Sequence, residues 1–505
     1  MRRDEASRGM GSSLVLDVGT SAVKGALVTE DGEFAYVTER PLDAPTGRDG
    51  VMEQDARNWR EVAREVARDV VHHATTPDRI VFTGQMQDLT LLASDGGPLR
   101  GTLLYGDVRA QQEARDVQDA LGVKPLQAWT GNDQDASSLL AKVLWLKRHE
   151  PAVWTAARHV FLGAADVLAF DLTGVAACDV TTASTTGLMN LETRSPLTED
   201  VLQSLDLSDL LTRLPRLVPG GQQVGTVTPD AATSWGLPEG TPVHVGPGDA
   251  GATTIGAGAG IPGVASIYLG TSGWLATTSL GVGDPNAGVF TLAHPTPGRY
   301  VQVAPLLTAA GNLAWFRDAV TPDVPFDDLV QGAILQARPH LVYLPYLAGE
   351  RSPFRDPTIR GAFLGLTADT TQRDMAYAVL EGVAFAYRHA ADALGLTSGG
   401  ETEAAWVVSG GGARSAAWMQ LLADVLDRPL LRLEDASNVG VRGAWHATRL
   451  ALGIVPDASL ADAGEPVTPR DVPAEEKAAR IARYQAFLAA TQALRPVYAA
   501  WSGER

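Results

Sequence analysis

LVLDVGTSAVKGALV, residues 14–28, decides how this chain is read. A strand-like apolar run, Leu14 to Leu16, meets Asp17 and then Gly19, Thr20 and Ser21. A second apolar run follows, and Asp31-Gly32 marks the next tight turn. Hairpin tips commonly carry Asn-Gly or Asp-Gly and only turn the chain. Here an acid and two hydroxyls stand between strands that belong in a core, an arrangement suited to a phosphate and its metal ion. The pattern returns half a chain later in ASIYLGTSGWLATTS, residues 265–279, again two β-rich runs joined by a Gly-Thr-Ser tip. Two such hairpins predict two domains of similar fold, their tips facing each other across a cleft. The first tip carries Asp17 where the second carries Tyr268. One carboxylate suffices for the hydrated magnesium of a nucleotide, and a second would repel the phosphates.

Composition bounds the reading. A chain of 505 residues exceeds what one hydrophobic core serves. Its net charge of −18, with no basic cluster, argues against nucleic acid or an anionic membrane as partner. No apolar run approaches the roughly 20 residues needed to cross a bilayer. The opening MRRDEASRGMGSS lacks an apolar stretch and reads as a loose tail, not a signal peptide. The sole cysteine, Cys178, excludes an intramolecular disulfide and suits a reducing cytoplasm. It is expected to be a small buried residue, not a nucleophile. None of the five lysines follows a glycine in a G-x-x-x-x-G-K-[ST] pattern, which excludes a P-loop. GAGAG, residues 256–260, runs into Ile261-Pro262-Gly263 where a dinucleotide fingerprint needs its third glycine and a helix. His72, His73 and His446 have no partners at metal-ligand spacing.

The coarse layout is alternating α/β with a domain boundary near residue 245. Asp55 caps an amphipathic helix with Trp59, Val62, Val66 and Val70 on one face. Residues 374–394 predict a long buried helix. AAWVVSGGGARSAAWMQLLADVL, residues 404–426, predicts strand, glycine loop and helix. The tail from Pro473 to Ala499 predicts a helix broken near Pro496, and Trp129, Trp145 and Trp154 are assigned to the core.

Three stretches carry candidate chemistry. HVGPGDAGATTIGAG, residues 244–258, ends a strand in Gly-Pro-Gly and presents Asp249 at the start of a small-residue helix. Asp249 is there either as a helix cap or as a general base at the cleft floor, able to take a proton from an attacking hydroxyl. SGGGARS, residues 409–415, is either a plain tight turn or a loop that lets a ligand lie flat on backbone before a helix N-terminus that favours an anion. Gln85, Met86, Gln87 and Asp88 between strands, and Tyr105, Asp107 and Arg109 after another, are candidates for a small polar ligand.

Together these residues resemble the FGGY carbohydrate kinases. LDVGTSAVKGALV resembles that family's first phosphate motif. SSLLAKVLWLKRHEP is similar to its first signature, with Lys142 and Trp145 in place. GPGDAGATTIGAG resembles its catalytic-aspartate block, AGERSPFRDPTIRGAFLGLT its second signature, and VSGGGARSAAWMQLLADVL its adenosine block. The resemblance spans nearly the whole chain after residue 12. It implies an α/β fold of two ribonuclease-H-like, actin/Hsp70-type domains around a cleft. Residues 11–246 would hold the sugar and the first phosphate motif. Residues 247–505 would hold the nucleotide and end in a helix. It implies ATP as phosphoryl donor with Mg2+, Asp249 as catalytic base, and Asp17 as the catalytic and metal-holding carboxylate. Thr20 and Thr271 would lie on phosphates, Gly311, Gly411 and Gly412 around the nucleotide, and Met86, Gln87 and Asp107 with Asp249 on the sugar. The second signature and the tail resemble xylulokinases, which implies conversion of D-xylulose to D-xylulose 5-phosphate. Two departures fall in the sugar site: Met86-Gln87-Asp88 where xylulokinases show Met-His-Gly, and Tyr105-Gly106-Asp107 where they show Trp-Asn-Asp. Another ketose or polyol, such as ribulose, L-xylulose or a glycerol-like substrate, is therefore the alternative. A non-catalytic actin-like sugar sensor is the rival from another class. The expected partners are a sugar and ATP, with a homodimer open to it and a cytoplasmic location.

Overall fold

The computed structural model describes residues 11–336, 339–397, 404–433, 437–454 and 464–502; the tail before residue 11 lies outside them. β1 (Ser13–Val18) and β2 (Ala22–Val28) pair antiparallel around the Gly19–Ser21 tip, and β3 (Phe34–Pro41) extends the meander. Leu14, Val15 and Leu16 are all buried, because both faces of this sheet are covered. α1 (Ala56–His73) starts at Asp55, whose side chain accepts from the Arg57 N–H, and lays Trp59, Val62, Val66 and Val70 on one face of the sheet. The chain returns as β4 (Arg79–Gly84), parallel to β1, and leaves as β5 (Met86–Leu92) for a small four-stranded sheet. α2 (Leu139–His149) and α3 (Val180–Ser184) belong to this outlying region. β6 (Gln222–Thr226) and β7 (Pro242–Val245) complete the order β6-β7-β4-β1-β2-β3, and α4 (Asp249–Thr254) follows.

The second half repeats the plan. β8 (Ala265–Leu269) and β9 (Gly273–Ser279) form the matching hairpin, joined by β10 (Phe290–Ala293) and β11 (Tyr300–Leu306). After α5 (Gly311–Val320), the buried α6 (Gln372–Ala393) begins in a capping box between Thr371 and Asp374. β12 (Trp406–Ser409) runs parallel to β8, a short 3₁₀ turn leads to α7 (Ala416–Leu426), and β13 (Leu430–Arg432) lies parallel to β12. α8 (Val439–Ala451), β14 (Glu465–Val467) and α9 (Ala474–Ser502) finish the chain. The order β10-β11-β9-β8-β12-β13-β14 matches the first sheet strand for strand around its hairpin, with parallel and antiparallel pairings in the same places. Even the packing glycines correspond. Gly84 and Gly410 both have positive φ, and a Cβ on either would strike the carbonyl of the last residue of the neighbouring hairpin strand, Val18 or Leu269. Each sheet is ribonuclease-H-like, and the pair is the actin/Hsp70-type arrangement.

The two halves interlock. α8, which follows the second sheet, crosses α4, which follows the first. A Cβ on Gly443 would overlap the Ala252 carbonyl and one on Gly256 the Val439 carbonyl, so the crossing is backbone on backbone. α8 also turns Val441, Ala444 and Trp445 onto Val15, Ala26, Val28 and Val81 of the first sheet.

Three expectations differ. α9 is continuous through Pro496. The hydrogen bond that proline removes is offset on both sides of it: Arg495 just before pairs with Asp356 at 3.1 Å, and Tyr498 just after packs on the second core and donates to the Gly361 carbonyl. Trp154 is buried, but Trp129 and Trp145 are only half-buried. Trp145 stacks on His149 with the Arg109 guanidinium 4.9 Å from its ring. Cys178 is buried, as its size and softness suggest. Among the described residues no helix is long and apolar enough to cross a membrane.

Candidate active site

Asp249 is the first residue of α4, at the carboxyl end of the parallel strand β7, where open α/β sheets place their ligands. The loop ahead of it is pinned on two sides. Thr83 Oγ1 at the end of β4 donates to the Pro247 carbonyl at 2.6 Å, and the Gly248 N–H donates to Asp179 Oδ1 at 3.3 Å. That same oxygen takes the Thr181 and Thr182 N–H groups at the start of α3. Asp249 is no cap of the usual kind: it lies inside the helix, half-buried, and its carboxylate accepts only the neighbouring Ala250 N–H, at 2.7 Å. Burial pushes the Asp249 carboxyl up to about 7, with the charges of Asp17 and Asp179 adding to the shift and the Ala250 N–H opposing it.

Asp17 stands near it on β1, opposite Lys24 in the antiparallel register. Burial lifts its carboxyl to about 6 against the pull of Lys24. Gly440, in the first turn of α8, faces it so closely that a Cβ there would lie 2.6 Å from Asp17 Oδ2. The carboxylate thus sits at the positive end of a helix supplied by the other half of the chain. Among the described residues no three His, Cys, Asp or Glu side chains form a ready-made metal cage. A half-buried carboxylate beside the hydroxyls of the Thr20–Ser21 tip fits a Mg2+ carried in on nucleotide phosphates, which takes the rest of its shell from phosphate and water.

Beside Asp249 opens a cavity of about 410 Å³ walled by both halves. This is within the size range of small-molecule sites. The first half contributes Met86, Gln87, Tyr105 and Asp135, and Ala250 marks the approach to Asp249. Arg351 and Arg355 come from the second half, Arg355 paired with Asp133. Gln87 holds a left-handed backbone at φ +63° and donates from Nε2 to the Ser137 carbonyl at 3.3 Å. A non-glycine residue in that region stores strain, a common mark of a ligand site. Asp107 is not among the cavity-lining residues: it is fully buried behind the wall, where its carboxylate accepts the Met52 N–H at 2.7 Å and the Arg109 guanidinium. It braces the Tyr105 turn from behind.

The two hairpin tips differ in detail. Thr20 donates its hydroxyl to Gln85 Oε1 at 2.8 Å, while Thr271 is exposed at its own tip. Gly311 opens α5 and donates its N–H to the Thr271 carbonyl; a Cβ there would lie 2.8 Å from that oxygen, so only glycine brings α5 this close to the tip. Gly411 faces open space. Gly412 is turned inward, where a Cβ would lie 2.5 Å from Leu269 Cγ, so its missing side chain serves packing against β8. Sequence reasoning overlooked Asp179, Asp135 and the two arginines. Arg351 and Arg355 lay in the quoted second signature, but nothing local announced that Asp179 would brace the Asp249 loop.

Comparison with known proteins follows the same division into halves. The family model described as "FGGY family of carbohydrate kinases, N-terminal domain" matches residues 12–256, and its C-terminal counterpart matches residues 265–450. The xylulose kinase of Escherichia coli K12 is 31% identical over 88% of this chain and 90% of its own length. That of Staphylococcus epidermidis ATCC 12228 is 30% identical over 85% and 86%. The crystal structure of xylulose kinase from Rhodospirillum rubrum superposes with a TM-score of 0.87 at 27% identity, covering 96% of this chain and 99% of that one. A duplicated sheet whose two copies each meet their own half of one family, in order and nearly end to end, makes this chain a member of the FGGY family of carbohydrate kinases, enzymes that phosphorylate a sugar at the expense of ATP.

Proposed function

We propose that this kinase phosphorylates D-xylulose to D-xylulose 5-phosphate, with Asp249 as the base. The observation that carries the mechanism is a half-buried carboxylate with a raised affinity for protons at the edge of a cavity shared by both halves. The choice of sugar draws on the xylulose kinases to which the chain is similar along most of its length.

A sugar seated between Gln87 and Tyr105 points one hydroxyl at Asp249. The carboxylate accepts that proton as the oxygen attacks the γ-phosphorus of ATP, and the oxygen to the β-phosphate leaves as ADP. Thr20 and Thr271 supply hydroxyl and backbone donors to the phosphates, and the N-terminus of α5 adds its dipole beside Thr271. Gly411 leaves room for the nucleoside. Asp17 would hold Mg2+, which supplies neutralisation of phosphate charge when bound. Closure of the halves over the sugar excludes water and limits wasteful ATP hydrolysis.

The test is kcat/KM, read by ADP release, for D-xylulose, D-ribulose, L-xylulose and glycerol. D-xylulose is expected to lead. A preference above tenfold for any of the other three removes the D-xylulose reading and leaves the sugar kinase. Gln87→His, which restores the residue xylulokinases usually carry, is expected to change kcat/KM for D-xylulose by less than tenfold, about 1.4 kcal/mol of transition-state binding. A larger loss, with another sugar preferred, marks a pocket built for that sugar.

A further inference from the structure

The two departures from the xylulokinase pattern touch each other. Asp88 Oδ1 accepts the Tyr105 N–H at 3.1 Å, and Lys142 Nζ donates to the Leu104 carbonyl at 2.6 Å. That N–H and that carbonyl belong to one peptide bond. It is held at both ends by an acid from β5 and a base from α2, and neither side chain has any exposed surface. Burial drives the Asp88 carboxyl up and the Lys142 ammonium down to about 8, while each pulls the other back toward its charged form. A buried pair of this kind is a weak device for stability, because desolvation consumes much of the attraction. Its better-attested use is to specify one arrangement of the chain.

The arrangement here is the turn Leu104–Asp107, closed by the Asp107 N–H to the Leu104 carbonyl at 2.9 Å. Asp107 ties its far end to Met52 and Arg109. Gly106 lies against Met52, where a Cβ would stand 2.7 Å from Sδ. What the turn presents is Tyr105, 44% exposed on the cavity wall. On the other side of the clamp Asp88 directly follows the strained Gln87. Both side chains that distinguish this sugar site are therefore set by the same buried acid, which stands where xylulokinases usually have glycine.

We propose that Asp88 and Lys142 are the positioning pair of the sugar pocket: they clamp the Leu104–Tyr105 peptide, fix the Tyr105 ring against the sugar, and so decide which sugar is accepted. This rests on the sugar-kinase reading of the cavity. Neither residue touches the reacting atoms, and the effect is on the sugar rather than on ATP.

Asp88→Ala removes the acceptor and is expected to raise the sugar KM at least tenfold, with kcat and the ATP KM within about threefold of wild type. Asp88→Asn keeps an acceptor oxygen and is expected to restore the sugar KM to within about threefold. Without any sugar present, amide hydrogen exchange across residues 104–107 is expected to quicken at least tenfold in Asp88→Ala and not in Asp88→Asn. Tyr105→Ala leaves the clamp whole but removes the ring, and must reproduce the rise in sugar KM; this variant decides the matter if Asp88→Ala does not fold. An unchanged sugar KM in Tyr105→Ala overturns the proposal. So does unaltered exchange in Asp88→Ala, or an ATP KM that rises in step with the sugar KM. A wild-type enzyme that turns over no sugar at all overturns the kinase reading itself, and that is seen before any variant is made.

Discussion

Asp249→Asn is expected to lower turnover of the best sugar by roughly 10²–10⁴-fold, the usual worth of a general base, while ATP still binds. The asparagine fills the same place at the head of α4 and its oxygen can still accept the Ala250 N–H, so loss of activity reports loss of the base and not of the fold. Near-wild-type turnover would remove Asp249 from the mechanism. The same carboxyl sets a pH dependence. Only its ionised form accepts a proton, and its pKa is raised to about 7. Wild-type kcat/KM for the sugar is therefore expected to fall up to tenfold per unit below about pH 7 and to flatten above it. The residual rate of the asparagine variant should lack that limb. Stability runs the opposite way. The folded state holds this proton more tightly than the unfolded chain, whose carboxyl keeps the ordinary 3.8. Acidification from pH 7 toward 4 thus favours the folded state through this group, and above pH 7 its buried charge opposes folding. Asp249→Asn should melt higher than wild type at pH 8, the difference closing toward pH 5, as thermal unfolding at both pH values will show.

Asp17→Ala is expected to be the other severe loss, roughly 10²-fold or more in kcat/KM for Mg·ATP, with the sugar KM little changed. Its carboxylate lies at the N-terminus of α8 and against Gly440, a place that no side chain of the second hairpin duplicates, since Tyr268 occupies the corresponding strand. Without Asp17 the Mg2+ that would neutralise phosphate charge loses its protein ligand, and that charge stabilisation is worth several kcal/mol in the transition state. Titration of turnover with magnesium checks it: normal rate at unchanged magnesium demand would take the metal role away from Asp17.

The frame of the fold was legible because its signals are local. An apolar run, a polar tip and a second run make a hairpin wherever they occur, and their recurrence in residues 265–279 announced the duplication. Asp55 capped its helix for the same reason. Asp249 could be singled out because Gly-Pro-Gly ends a strand just before it. What escaped was set by contacts distant in sequence. Asp107 looked like a sugar ligand because it is a polar residue in a loop, yet Met52, 55 positions earlier, takes its carboxylate. The demand for glycine at 412 comes in part from Leu269, which lies where a Cβ would stand. Pro496 should break a helix by local rules, and tertiary packing of Tyr498 overrode them. Asp179 carries no motif, and its role in holding the Asp249 loop exists only once α3 and β7 are side by side.

The position of α8 bears on how the molecule comes into being. Val15, Ala26, Val28 and Val81 leave the ribosome several hundred residues before the helix that covers them, which begins only at Val439. Through that interval one face of the first sheet waits, with an apolar β surface open to the surroundings, the kind of surface that invites aggregation. The two halves look like separable modules by their strand order, but as a growing chain they mature together, because a helix from the second half closes a face of the first sheet.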